Sequence, residues 1–389
     1  MLRVSFVKDE LNKLLASSAS KPVIKINAGT GIDRVVTGLT ADLVKNMQQK
    51  EAILFIDTGS SFYTLPSAAL DIAQIINTFA PDDLSKVAVS IDIKHPGEDE
   101  QEAIRKKAAK TGASVISMPT DFSVTYTYNG KTIAADRFSQ YVERAIELPA
   151  ADAGKVTTGV RVLEDGSLYH VPTYVKRVDE RDFAVMNSFT NSVYALIVNK
   201  ASFKDTAGRW SQQAIEDLAS RTILTGTGID KFEPARGVTR AEFAAMIVRA
   251  LGLPAKTDGV YNDVKAADWY APFVSAAKSY GLISGYPDGT FRPKQTITRA
   301  EAVAIIGKAW TLAGQTAAGD SDAAAALAGI SDNADIPAWV RPAFGSSFKL
   351  GLISGYEDGS VKPMRTVTRE ETAAMLRNLL IRSELIESK

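Results

Sequence analysis

The chain has 389 residues, no cysteine, and 45 basic against 45 acidic side chains, so its formal net charge is zero. That length supports two or more cores, while the charge balance argues against a nucleic-acid partner, which normally draws a basic surplus. The missing thiols exclude disulfides and thiolate metal sites, and no apolar run approaches the roughly 20 residues of a membrane-spanning helix, so no membrane partner is expected.

In chain order, the first half alternates β-branched runs with helical segments. Val23-Ile24-Lys25-Ile26, Ile53-Leu54-Phe55-Ile56 and Val87 to Ile91 read as strands, and Leu39 to Gln48, Pro66 to Phe79 and Glu98 to Thr111 as helices. A strand, glycine turn, strand and helix occur twice, at 23–48 and 53–79. Phe122 to Tyr128 and Ala184 to Val198 read as later strands, with hairpin turns at Asn129-Gly130 and Asp165-Gly166. The expectation is an α+β domain over residues 1–199, followed by a different domain over 200–389.

The first half offers three chemical motifs. Asp57-Thr58-Gly59-Ser60 resembles the signature of pepsin-like aspartic proteases, a chemistry that needs two carboxylates sharing a proton. No second such motif occurs, and the matching turn, Asn27-Ala28-Gly29-Thr30, has no aspartate, so the plain reading is a turn between strands. His95 and His170 are far apart and read as surface residues, not as bases or metal ligands. Gly29-Thr30-Gly31 alone is too weak to mark a phosphate loop. No catalytic residue, metal or cofactor is expected.

The second half repeats itself. Trp210, Trp269 and Trp339 each precede an arginine by 30 residues, at Arg240, Arg299 and Arg369. Between them recur a hydroxyl-glycine pair (Thr225-Gly226, Ser284-Gly285, Ser354-Gly355) and a proline (Pro234, Pro293, Pro363). The copies run over about 202–253, 260–312 and 329–382, and a fixed period means stacked copies of one unit. Each opens with a helix after its tryptophan, and copies two and three turn at Gly-Tyr-x-Asp-Gly, with Tyr286 and Tyr356. Each then starts a second helix at Thr-Arg-x-Glu, a capping box in which threonine and glutamate satisfy each other's backbone amides. One apolar stripe follows, such as Phe243, Met246, Ile247, Ala250 and Leu251. A lone helix pair cannot hide its stripes, so the copies must pack together.

The tetrad arginines stand at the first helical position, where a cation costs about 0.3–1 kcal/mol against the helix dipole. Two partners fit them: the internal aspartates Asp205, Asp263 and Asp332, or an external anion meeting a guanidinium and a helix N-terminus together. Each tryptophan fits either a core plug or a flat face for a sugar ring.

Phe203-Lys204-Asp205 with Trp210, Tyr261 to Val264 with Trp269, Ser284 to Pro293 and the three tetrads resemble S-layer homology (SLH) domains across residues 202–382. The resemblance implies an all-α, pseudo-trimeric helical bundle. Its grooves would hold the secondary cell wall polymer of Gram-positive bacteria, typically through pyruvylated N-acetylmannosamine, with Arg240, Arg299 and Arg369 as the binding residues. It tips the arginines toward a ligand. Asp205, Asp263, Asp332, Trp210, Trp269, Trp339, Tyr286, Tyr356, Gly285 and Gly355 complete the expected binding set. The first half looks more loosely like the module that often precedes such triplets. The expected protein is a secreted, wall-anchored surface or S-layer protein whose partners are wall polysaccharide and neighbouring S-layer subunits. The alternative is a surface hydrolase that uses the triplet only as an anchor. The start, Met1 to Phe6, does not read as a signal peptide, so a segment of a longer exported chain is expected.

The copies are unequal. Copy one has Thr227-Gly228-Ile229-Asp230 in place of the tyrosine loop, and Glu233 where the others carry Arg292 and Lys362. Copy three adds Glu370 beside Arg369, so Arg299 ranks first. The alanine- and glycine-rich stretch 311–329 reads as a flexible linker.

Overall fold

The computed structural model describes residues 1–388 except 19, 136, 153, 257 and 260. They form two compact units, Met1–Val198 and Asn199–Lys389.

The first unit is built on two mixed sheets. One runs through strands Leu2–Ser5, Arg34–Thr40, Ala88–Lys94, Thr120–Tyr128, Ser192–Val198, Thr158–Val162 and Leu168–Val171 in that order. The other runs Thr173–Val178, Arg181–Thr190, Arg137–Glu147, Ser61–Pro66, Ile53–Asp57 and Val23–Asn27. Both contribute to one core: Ile24, Leu54 and Tyr63 from the second sheet meet Val35, Val89 and Phe122 from the first. Helices Lys8–Ser17 and Ala41–Gln49 close it with Leu11, Leu15, Leu43, Val44 and Met47.

The expected α+β domain followed by an all-α bundle is corrected on both sides. The first unit is sheet-rich, with fifteen strands in its two sheets among the described residues. Several strands bury polar residues, including Arg144, Thr158, Arg161, His170, Asn187 and Ser188, which breaks the alternation that would have revealed them. Ala184 to Val198 is two strands in different sheets. The two sequence-similar turns also diverge: Ile53–Asp57 and Ser61–Pro66 form a hairpin, whereas Val23–Asn27 and Arg34–Thr40 enter different sheets.

In the second unit, extended segments tie the helices together. Isolated bridges pair Gly237 with Thr368, Thr239 with Thr296, and Thr298 with Thr366. At their centre the Val238 amide donates to the Val367 carbonyl (3.0 Å), Val367 to Ile297 (3.1 Å) and Ile297 to Val238 (2.9 Å), a closed ring of one residue per copy. Each segment is a few residues between proline and N-cap, too short for any hydrophobic period to register. The presumed linker is also ordered: Asp320–Leu327 is a helix that buries Ala323 and Leu327 and packs on helix Arg341–Lys349.

All three second helices, Arg240–Ala250, Arg299–Leu312 and Arg369–Arg382, begin with a complete capping box. Their first two amides donate to the neighbouring copy. Arg240 and Ala241 donate to Gln295 and Pro293, Arg299 and Ala300 to Arg365 and Pro363, and Arg369 and Glu370 to Arg236 and Pro234. The orphan amides that end every helix thus become the joints of the ring.

Candidate functional site: three grooves, each built from all three copies

The loop of each copy is shaped by its aspartate. Asp205 accepts the amides of Phe232 (2.9 Å) and Glu233 (2.7 Å), Asp263 those of Phe291 and Arg292 (both 2.7 Å), and Asp332 those of Val361 (2.8 Å) and Lys362 (2.7 Å). Glu233, Arg292 and Lys362 have positive φ, a conformation that side chains resist and that the carboxylates hold in place. Burial would raise the Asp205 carboxyl, but the Glu233 and Phe232 amides outweigh it and hold it below the usual range. The aspartates are therefore loop braces, and among the described residues none pairs with a tetrad arginine. Gly285 and Gly355 serve the same loops: a Cβ would come within 2.8 Å of the Thr290 carbonyl at Gly285 and 3.1 Å of the Ser360 carbonyl at Gly355.

Each tetrad arginine leaves its own copy and enters the next one's loop. Arg240 of copy one donates to the Phe291 carbonyl of copy two (2.9 Å) and pairs with Glu301 (2.8 Å). Arg299 of copy two donates to the Ser354 carbonyl of copy three and lies 5.2 Å from the Tyr356 ring centre. Arg369 of copy three returns to copy one, donating to Phe232 (2.8 Å) and Thr225 (2.7 Å). All three are buried. Among the described residues, Arg240 alone of the three has a carboxylate partner. The Nε of Arg299 has no hydrogen-bond partner among the described residues. Burial lowers the Arg299 guanidinium, and burial with the neighbouring Arg236 pushes Arg369 down to about 10.

The exchange yields three grooves. The first, about 280 Å³, has the loop of copy one, Arg369 of copy three and Trp269 of copy two. The second, about 660 Å³, has Tyr286 and Glu301 of copy two, Arg240 of copy one and Trp339 of copy three. The third, about 860 Å³, has Tyr356, Arg365 and Glu371 of copy three, Arg299 of copy two and Trp210 of copy one. The tryptophans are not core plugs: Trp210, Trp269 and Trp339 are 66%, 57% and 64% exposed on the walls. The helix amides are spent on the ring, so an anion would meet the guanidinium without them.

Arg299 thus belongs to the groove of copy three and not to that of its own copy, which changes the basis of its ranking. Glu370, read as a rival charge beside Arg369, instead lines the third groove, where Arg209 (2.7 Å) and Ser211 (2.8 Å) of copy one hold it. Sequence reading missed Arg236 and Arg365, which pair with the capping glutamates Glu242 (2.6 Å) and Glu371. Their signal was visible: both stand two residues after the loop proline, where copy two has Gln295.

In the first unit, Asp57 accepts the Gly59 amide of its own turn (2.7 Å), and Thr58 and Ser61 bond to each other, so the protease-like motif closes a hairpin. His170 is buried beside Thr158 (2.9 Å), against the surface placement expected for it, and His95 Nδ1 lies 3.1 Å from the Pro119 carbonyl. Among the described residues no cluster of metal-ligating side chains occurs, and no helix is long and apolar enough to cross a membrane.

A ring of three capped hairpins exchanging arginines defines a repeat-built binding module, and comparison with known families gives its kind. The S-layer homology domain matches three times, at residues 202–244, 260–303 and 330–373, so this chain carries three SLH domains. Similar proteins include an amylopullulanase of Thermoanaerobacterium thermosulfurigenes, 37% identical over 194 residues, 49% of this chain and 10% of that protein. The middle cell wall protein of Brevibacillus brevis is 34% identical over 139 residues, 32% of this chain and 13% of that one. The surface-layer 125 kDa protein of Lysinibacillus sphaericus is 27% identical over 169 residues, 43% of this chain and 14% of that one. The chain spans a small fraction of the length of each of these relatives.

Proposed function

We propose that the second unit anchors this protein non-covalently to the Gram-positive cell wall by binding secondary cell wall polymer in its grooves. The ligand class is an anionic carbohydrate of the pyruvylated N-acetylmannosamine type. One observation carries this reading: Arg299 is a buried guanidinium without a carboxylate partner among the described residues, on a groove that also holds an exposed tryptophan. A buried cation in that state gains more from an incoming carboxylate than a solvated one does, and an exposed indole offers its face to a sugar ring. Relatives named as wall and surface-layer proteins support the same destination. Repeated grooves on a repeating polymer add avidity. On this reading the chain's own role is binding, not catalysis, and it works at the cell surface, with wall polysaccharide as its partner and neighbouring subunits beside it.

Co-sedimentation with purified walls, before and after acid extraction of the polymer, tests the proposal. Binding that disappears with the polymer supports it. Binding that survives extraction, or no binding to either preparation, refutes it.

A further inference from the structure

The three grooves share one backbone geometry, and among their differences is the side chain that faces the capping glutamate. The carbonyls of Arg236, Gln295 and Arg365 occupy equivalent places, each accepting the amide of the incoming arginine: Arg369 (3.0 Å), Arg240 (2.9 Å) and Arg299 (2.9 Å). Where that residue is an arginine, it takes the glutamate: Arg236 holds Glu242, and Arg365 holds Glu371 while also donating to the Tyr356 hydroxyl at 2.8 Å. Where it is Gln295, the glutamate has no such partner, and Glu301 pairs with Arg240 instead.

Resting on the anion-binding reading above, we infer that the residue two places after the loop proline decides whether the arginine entering each groove is already ion-paired. Arg365 arms the third groove by occupying Glu371, and Gln295 disarms the second by leaving Glu301 to neutralise Arg240. An anion entering the second groove would have to break an existing ion pair and then face the released carboxylate, which costs Coulomb energy twice. In the third groove it meets a cation that is already desolvated and, among the described residues, paired with no carboxylate. The first groove has the armed arrangement in about 280 Å³ against about 860 Å³ for the third. Residues 236, 295 and 365 are thus positioning residues that act through a glutamate. They sort the three grooves by whether the incoming arginine already has a carboxylate partner.

The test is titration of the full chain with the methyl glycoside of pyruvylated N-acetylmannosamine, read by calorimetry, with thermal melts as a folding control. Arg365→Gln is expected to weaken binding about tenfold, and Arg365→Lys, which keeps the charge, to restore it. A merely structural role would not be rescued by charge alone. In an Arg299→Ala/Arg369→Ala background binding should vanish, and adding Gln295→Arg should create one new site. If that background does not fold, Gln295→Arg in the otherwise native chain should raise the stoichiometry by one. The inference is overturned if Arg365→Gln binds like wild type, if the folded double variant still binds through Arg240, or if Gln295→Arg adds no site. Wild-type chain that binds the polymer-bearing wall while Gln295→Arg changes nothing would sink this inference alone. Wild-type chain that binds neither wall nor glycoside would remove the reading beneath it as well.

Discussion

At the scale of single residues, two arginines with the same motif position should respond in opposite ways to truncation. Arg299→Ala removes a buried cation whose charge no carboxylate balances among the described residues, so its melting temperature should change little while wall binding falls sharply. Losing a desolvated charged contact costs about 2–5 kcal/mol of affinity. Arg240→Ala instead takes the ion-pair partner from Glu301 and the donor from the Phe291 carbonyl. It should cost stability, about 2 kcal/mol, and leave wall binding nearly unchanged. Paired melts and sedimentation assays on the two variants decide the matter. The tryptophans should follow the grooves they line. Trp210→Ala, beside Arg299, should weaken wall binding about fivefold, and Trp339→Ala, beside the neutralised Arg240, distinctly less.

Elements carry the shape that those residues need. Asp263→Ala would remove two charge-assisted hydrogen bonds from a loop held at positive φ. A loss of about 3 kcal/mol in chemical denaturation is the expected outcome, larger than the roughly 1 kcal/mol of losing a threonine cap at Thr298. The capping boxes, the aspartates and the arginines could all be found from sequence because repetition tripled each signal. What they touch could not. Spacing within one copy cannot show that an arginine crosses to the next, because that exchange depends on four-residue segments whose only mark is a proline before and a threonine after. The first unit shows the opposite failure. Its helices at 41–49 and 98–109 fall close to their expected ranges, yet strands with buried Arg144 and Arg161 were hidden by their own polar residues.

For the second unit as a whole, acid should loosen the closure between copies three and one. Burial would raise the Glu370 carboxyl, but the hydrogen bonds from Arg209 and Ser211 outweigh it and hold it below its ordinary value. An acid with a depressed folded pKa contributes stability fully above its unfolded value of about 4.3. That contribution is lost as pH falls through the folded value. The melting temperature should therefore decline below about pH 4, and Glu370→Gln should flatten that decline. An unchanged slope in the variant would place the acid sensitivity elsewhere.

The cyclic exchange of arginines also makes the triplet indivisible. Removing copy three deletes the third groove, strips Trp339 from the second and takes Arg369 from the first. A chain shortened by one copy would therefore hold no intact site, not two out of three. Because Arg369 of the third copy completes the loop of the first, the first groove takes its shape only once the third copy has folded back onto the first.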